Sequence, residues 1–159
     1  MRPLIILLSA ATMLLAQQPA AKTFTGAADV AAMIAKAKKE RKPDQANFAQ
    51  PLLVADPYKV NLEYRVEGVD TNPNVHETEA EIFYVVEGGG TLTTGGKLRD
   101  EKRLNPTNLT GTAIEGGTPR RIAKGDFILV PENTPHWFTK TEGTLVLMTV
   151  HVPRGGASQ

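Results

Sequence analysis

Beyond Pro51 the apolar segments are short, and glycine, proline or asparagine stops each one before a helix could form. Val60, Leu62, Tyr64 and Val66 alternate with Asn61, Glu63, Arg65 and Glu67, which predicts a half-buried strand. Ile82 to Val86 is a continuous apolar run closed by Gly88-Gly89-Gly90, read here as a tight turn. Phe127 to Val130 is opened by Gly125-Asp126 and closed by Pro131, and Leu145 to Val152 is the longest run. Strands at this spacing, with no helical pattern between them, predict an antiparallel sandwich or barrel. Runs apolar on both faces predict strands covered on both sides, by a second sheet or by a partner subunit.

One helix precedes this region. In residues 26–42, Val30, Met33, Ile34 and Ala37 fall on a single stripe at spacings of three and four. Asp29 lies near the start, Lys36, Lys38, Lys39, Arg41 and Lys42 load the end, and Pro43 stops it. The basic cluster reads as a solvated helix end. Residues 94–121 show no periodicity and hold Gly95-Gly96, Pro106, Gly111, Gly116-Gly117 and Pro119. They predict either a functional loop or two short strands with a wide connection. Asn108-Leu109-Thr110 within them matches a glycosylation sequon, a pattern common by chance.

The N-terminus reads as an export signal. Arg2 precedes an uncharged apolar run from Leu4 to Leu15, too short to span a bilayer comfortably, followed by small and polar residues. Cleavage after Ala16 is favoured, with Ala20 or Ala21 as alternatives. The chain has no cysteine, which excludes lipoprotein anchoring, disulfides, thiolate metal sites and a cysteine nucleophile. An exported domain of this composition must be stabilised by its core alone. With 18 Lys+Arg against 17 Asp+Glu, nothing in the charge favours nucleic acid or an anionic membrane as partner. The expected organisation is a signal peptide over 1–20, an N-terminal helical extension over 21–50, a β-barrel over 51–153 and a flexible tail over 154–159. The mature product is expected to be periplasmic or secreted, with no membrane anchor.

Three histidines, His76, His136 and His151, are the main candidates for chemistry. The sequence around the first two reads Gly68, five residues, Asn74-Val75-His76, four residues, Glu81, six residues, Gly88; then Gly125, five residues, Pro131-Glu132-Asn133, two residues, His136, three residues, Lys140. This resembles the two motifs of the cupin superfamily, in order and with every spacing kept, over about residues 50–153. The chain departs from the pattern at three places. Asn74 stands where a histidine is expected, Asn133 replaces a glycine, and Lys140 replaces an asparagine that does not bind metal in the family. Asparagine is the next best residue to glycine where φ is positive, so the change at Asn133 is mild.

The resemblance implies a cupin-type antiparallel β-barrel, the double-stranded β-helix or jelly roll, and a homodimer. It also implies a divalent metal held by His76, Glu81 and His136. Two imidazoles and a carboxylate leave coordination positions open, and a set without sulfur suits Fe, Mn, Zn, Ni or Co. Asn74 is open between a fourth ligand, a hydrogen bond to a metal-bound water, and the mark of a degenerate site. Glu79 is the alternative to Glu81. Phe83, Phe138 and His151 are candidates to line a pocket, His151 with a structural role as the plainer reading and no part in holding metal. No Gly-x-Ser-x-Gly elbow occurs, so serine hydrolysis has no support. The expected function is an exported single-domain cupin that binds a divalent metal and acts on an unidentified small molecule, with oxygenase or isomerase chemistry within its range. The alternative is a small-molecule-binding module that catalyses nothing and has a degenerate metal site.

Overall fold

A computed structural model describes residues 20–155 of the chain. The segment read as an export signal, apart from Ala20, and the end of the tail lie outside the described residues. Among the described residues no helix is long and apolar enough to cross a membrane.

Helix α1 (Ala27–Glu40) matches the predicted stripe: Ala37 is fully buried, with Val30, Met33 and Ile34 packed beside it. Asp29 accepts a hydrogen bond from the backbone N–H of Gly26 at 3.3 Å and so caps the first turn. The stripe lies on Leu62 and Tyr64 of β2 (Tyr58–Val66) and Val146 of β11 (His136–Pro153). Strand β1 (Phe48–Ala55) pairs with β2, so the sheet begins upstream of Pro51.

Two long strands form the frame. β4 (Glu79–Thr94) and β11 run antiparallel over nearly their whole length, from His136 opposite Thr94 to Pro153 opposite Glu79, with three register shifts that bend the pair. β4 also pairs with β9 (Thr118–Ala123) and β10 (Phe127–Val130), while β11 also pairs with β2 and β3 (Asn74–His76). The Gly88-Gly89-Gly90 segment is therefore not a turn but mid-strand in β4, at the bend. A Cβ on Gly88 would overlap the Thr144 carbonyl oxygen, so glycine is needed here for the close approach of β11.

Besides the cluster under α1, the interior holds an apolar cluster of Phe83, Val85, Leu92, Ile122, Ile128, Val130, Phe138, Leu145 and Leu147. The β2 alternation does not separate core from solvent as the sequence predicts. Val60, Leu62 and Tyr64 are buried, yet Glu63 is also buried, and the Arg65 guanidinium lies 4.5 Å from the Phe138 ring centroid. Arg65 Nη2 donates to Glu63 Oε2 at 2.7 Å, and this pairing is what lets two charges sit inside.

Residues 94–121 hold more strands than predicted: β5 (Lys97–Arg99), β6 (Lys102–Asn105), β7 (Asn108–Thr110) and β8 (Ala113–Glu115), followed by β9 from Thr118. β5 pairs with β8, and the β6–β7 hairpin adds to the main sheet through β3. Three- and four-residue strands are too short to display a period. Outward-facing Phe127 and Leu129 on β10 are 72% and 62% exposed, so the apolar run there is covered on one face only within a single chain.

Candidate metal centre

Both motif segments meet where the bent β4–β11 frame brings the two ends of its ladder together, His136 from the end opposite Thr94 and Glu81 from the end opposite His151. His76 ends β3, and a two-residue turn leads into β4, where Glu81 shares the inward face with Phe83 and Val85. His136 opens β11. Asn133 before it adopts φ +59°, the left-handed conformation its place in the motif calls for, and its backbone N–H donates to the His76 carbonyl at 2.8 Å. His151, near the far end of β11, pairs across the strands with Glu81.

Glu81 is the focus. His136 Nε2 and His76 Nε2 lie 3.1 Å and 3.3 Å from its Oε2, and His151 Nε2 lies 3.6 Å from its Oε1. His76, Glu81 and His151 each present a ligand atom such that all lie within 4.8 Å of one another. The His76 ring centroid is 5.2 Å from that of His136 and 5.4 Å from that of His151.

The opposite nitrogen of each ring is held by an oxygen. His76 Nδ1 donates to Asn108 Oδ1 at 2.9 Å, and His136 Nδ1 donates to the Thr134 carbonyl at 3.1 Å. His151 Nδ1 donates to the Glu79 carboxylate at 2.8 Å. An amide oxygen, a carbonyl and a carboxylate can only accept, so each Nδ1 carries its proton and each Nε2 is turned toward Glu81. Three imidazole nitrogens with their lone pairs on one buried carboxylate repel it unless protons or a cation lie between them.

Without a cation, protons must fill that role, and the acid–base balance follows. Burial opposes ionisation of Glu81, but hydrogen bonds from His136 and His76 outweigh it and hold the carboxyl well below the usual range. Burial also opposes a charged His76, but its hydrogen bonds with Glu81 and Asn108 outweigh it and raise its pKa. A divalent ion would displace those protons and meet the same nitrogens and oxygens. The donor set of imidazole and carboxylate fits such an ion.

The structure brings His76, Glu81 and His136 together, and brings His151 to them. The sequence reading left His151 out of the ligand set because it lies outside both motifs; its place follows from the β4–β11 register. Asn74 pairs across the strands with His136, and its side-chain Nδ2 donates to the Asn72 carbonyl at 3.4 Å. Glu79 contacts the backs of the rings, 2.8 Å from His151 Nδ1 and 3.9 Å from His76 Nδ1. Asn108, noted only as a sequon residue, holds His76. Arg103 on β6 clamps Glu77 through two hydrogen bonds of 2.6 and 3.1 Å, which ties the hairpin that carries Asn108 to the turn after His76.

The predicted pocket residues sit in different surroundings. Phe83 and Phe138 are core residues, edge to face with ring centroids 5.2 Å apart. Phe138 also borders a cleft of about 130 Å3 between Val66–Thr71 and Trp137–Thr141, which neither Phe83 nor His151 lines. Trp137 Nε1 donates to the Thr71 carbonyl at 2.7 Å at that cleft.

No protein-family model and no curated protein matches the chain. Solved structures do. A conserved protein with a double-stranded β-helix domain from Klebsiella pneumoniae is 13% identical, with 74% of this chain and 85% of that one covered and a TM-score of 0.53. The DMSP lyase DddQ from Ruegeria pomeroyi is 17% identical over 89% of this chain and 70% of its own, with a TM-score of 0.55. The iron(II) form of HppE is 18% identical over 67% of this chain and 51% of its own, with a TM-score of 0.50. With its antiparallel frame, the helix before it and its paired motif segments, the chain has the double-stranded β-helix fold.

Proposed function

We propose that the protein is an exported cupin that holds a divalent metal ion through His76, Glu81 and His136 and acts there on a small molecule. The observation that carries this reading is the convergence of histidine Nε2 atoms on the buried Glu81 carboxylate, while every Nδ1 is already engaged by an oxygen. Such an arrangement presets the tautomer needed to ligate a metal. A bound ion of this class would supply Lewis acidity, or redox capacity if it is iron or manganese. The chain's own residues orient the rings through Asn108 and Thr134, and Phe83 keeps the inner side of the centre apolar, its ring centroid 6.1 Å from that of His136. Among fold neighbours, one is an iron(II) form, which supports metal-dependent chemistry as the class to test.

The test is uptake followed by turnover. Chelator-stripped mature protein is dialysed against Fe(II), Mn(II), Zn(II) or Ni(II) and its metal content measured. The loaded forms are then screened with small carboxylic acids, sugars and sulfonium compounds. Uptake with turnover of any of these supports the reading. Uptake without turnover of any favours a binding module. No uptake of any ion makes the site degenerate and removes the proposal.

A further inference from the structure

We propose that His151 supplies the imidazole that Asn74 does not, so that the centre presents three histidine nitrogens and one carboxylate, the third nitrogen coming from β11 instead of β3. The inference rests on the metal reading above and deepens it.

Three observations carry it. First, His151 and Glu81 are cross-strand partners on the inward face, and His151 Nε2 lies 3.6 Å from Glu81 Oε1. His76 and His136 both address Oε2, so His151 meets the oxygen they leave free. Second, Glu79 accepts from His151 Nδ1 at 2.8 Å, which turns the Nε2 lone pair toward the centre. A carboxylate behind an imidazole is the arrangement that orients metal-binding histidines. Third, Asn74 is engaged elsewhere: its amide donates to the Asn72 carbonyl at 3.4 Å, and it makes no hydrogen bond with Glu81. The imidazole missing from the first motif is thus matched by one from β11 on the same carboxylate.

The consequence is specific to this chain. With four protein ligands, an octahedral ion keeps fewer positions for water or substrate than a two-histidine, one-carboxylate set would leave. The absence of a histidine at position 74 then no longer marks a degenerate site. Adding one by Asn74→His is expected to change affinity little while His151 is present.

The experiment uses Zn(II) alone as probe. Parent, His76→Ala, His151→Ala and Asn74→His proteins are titrated with Zn(II) against a chromophoric chelator. X-ray absorption of the loaded forms counts imidazoles, and thermal melts verify folding. If His151→Ala does not fold, His151→Gln takes its place, because its amide can still reach Glu79. The expected result is an affinity loss of more than about tenfold in both His76→Ala and the position-151 variant, with the imidazole count falling from three to two in each. Parent affinity and parent absorption in the position-151 variant, alongside loss in His76→Ala, would overturn the inference and leave the metal reading intact. A parent that takes up no Zn(II) overturns both.

Discussion

Asn108→Ala isolates the part of the site that lies outside both sequence motifs. In the wild-type chain Asn108 Oδ1 accepts from His76 Nδ1 at 2.9 Å. Glu79 Oε1 is 3.9 Å from that nitrogen, beyond hydrogen-bond reach. The His76 side chain is only 16% exposed, so water replaces the lost acceptor poorly. Removing it costs about 1 kcal/mol for the bond itself and frees the ring to turn or to change tautomer. Loss of a partner of this kind typically lowers metal affinity about 10–100-fold, which corresponds to about 1.4–2.8 kcal/mol. Asn108→Asp keeps an acceptor in place and is expected to retain affinity within about threefold, because the hydrogen bond survives and gains charge assistance. Zn(II) affinity is read by chelator competition at fixed pH, with near-UV circular dichroism to verify the fold. Unchanged affinity in a folded Asn108→Ala protein, or equal losses in the alanine and aspartate variants, would refute the claim that Asn108 sets the His76 ring.

Four further outcomes follow from the same geometry. In chelator-stripped protein, Glu81 is held below its ordinary 4.5, so its contribution is complete above that pH and is lost as pH falls toward its depressed value. His76 is raised above 6.5, so its contribution is complete below 6.5 and is lost as pH rises through the raised value. Urea midpoints for the stripped protein should therefore peak between pH 4.5 and 6.5, and a monotonic rise from pH 4 to 9 would contradict this. Phe83→Ala, at 1% exposure and stacked edge-on with Phe138, should destabilise by about 3–5 kcal/mol in urea unfolding; a cost below about 1 kcal/mol would show that Phe83 is not a core anchor. Protein lacking residues 1–20 should sediment as a dimer at tens of micromolar and, if the exposed β10 face is the contact, Phe127→Glu should yield folded monomer; a monomeric parent refutes the pairing. Residues 1–30 fused to a reporter active only outside the cytoplasm should give signal, and an uncleaved, inactive fusion argues against export.

What the sequence made legible is what depends on local spacing. The α1 stripe of Val30, Met33, Ile34 and Ala37 is visible because a helix face repeats within a few residues, and it packs as read. The positive φ at Asn133 is visible because few residue types tolerate it. His76, Glu81 and His136 are reachable because the motif spacings preserve two turns. His151 is not, since its neighbour Glu79 is 72 positions away and only the β4–β11 register joins them. Asn108 is 32 positions from His76, on a three-residue strand too short to show a period, and its sequon pointed to a different role. Glu63 and Arg65 read as the wet face of a half-buried strand because alternation reports that the two faces differ, not that the polar one meets water. The glycine triplet read as a turn for a similar reason: sequence shows a need for backbone room, and only the structure shows that β11 fills it.

The most direct measurement is anomalous diffraction from crystals of the mature protein grown with Zn(II), recorded on both sides of the metal edge. One peak is expected within about 2.0–2.2 Å of the Nε2 atoms of His76 and His136 and of a Glu81 oxygen, with His151 Nε2 at the same distance. Crystals with no peak among these side chains, or with the ion bound elsewhere while His76, Glu81 and His136 contact only one another, would contradict it.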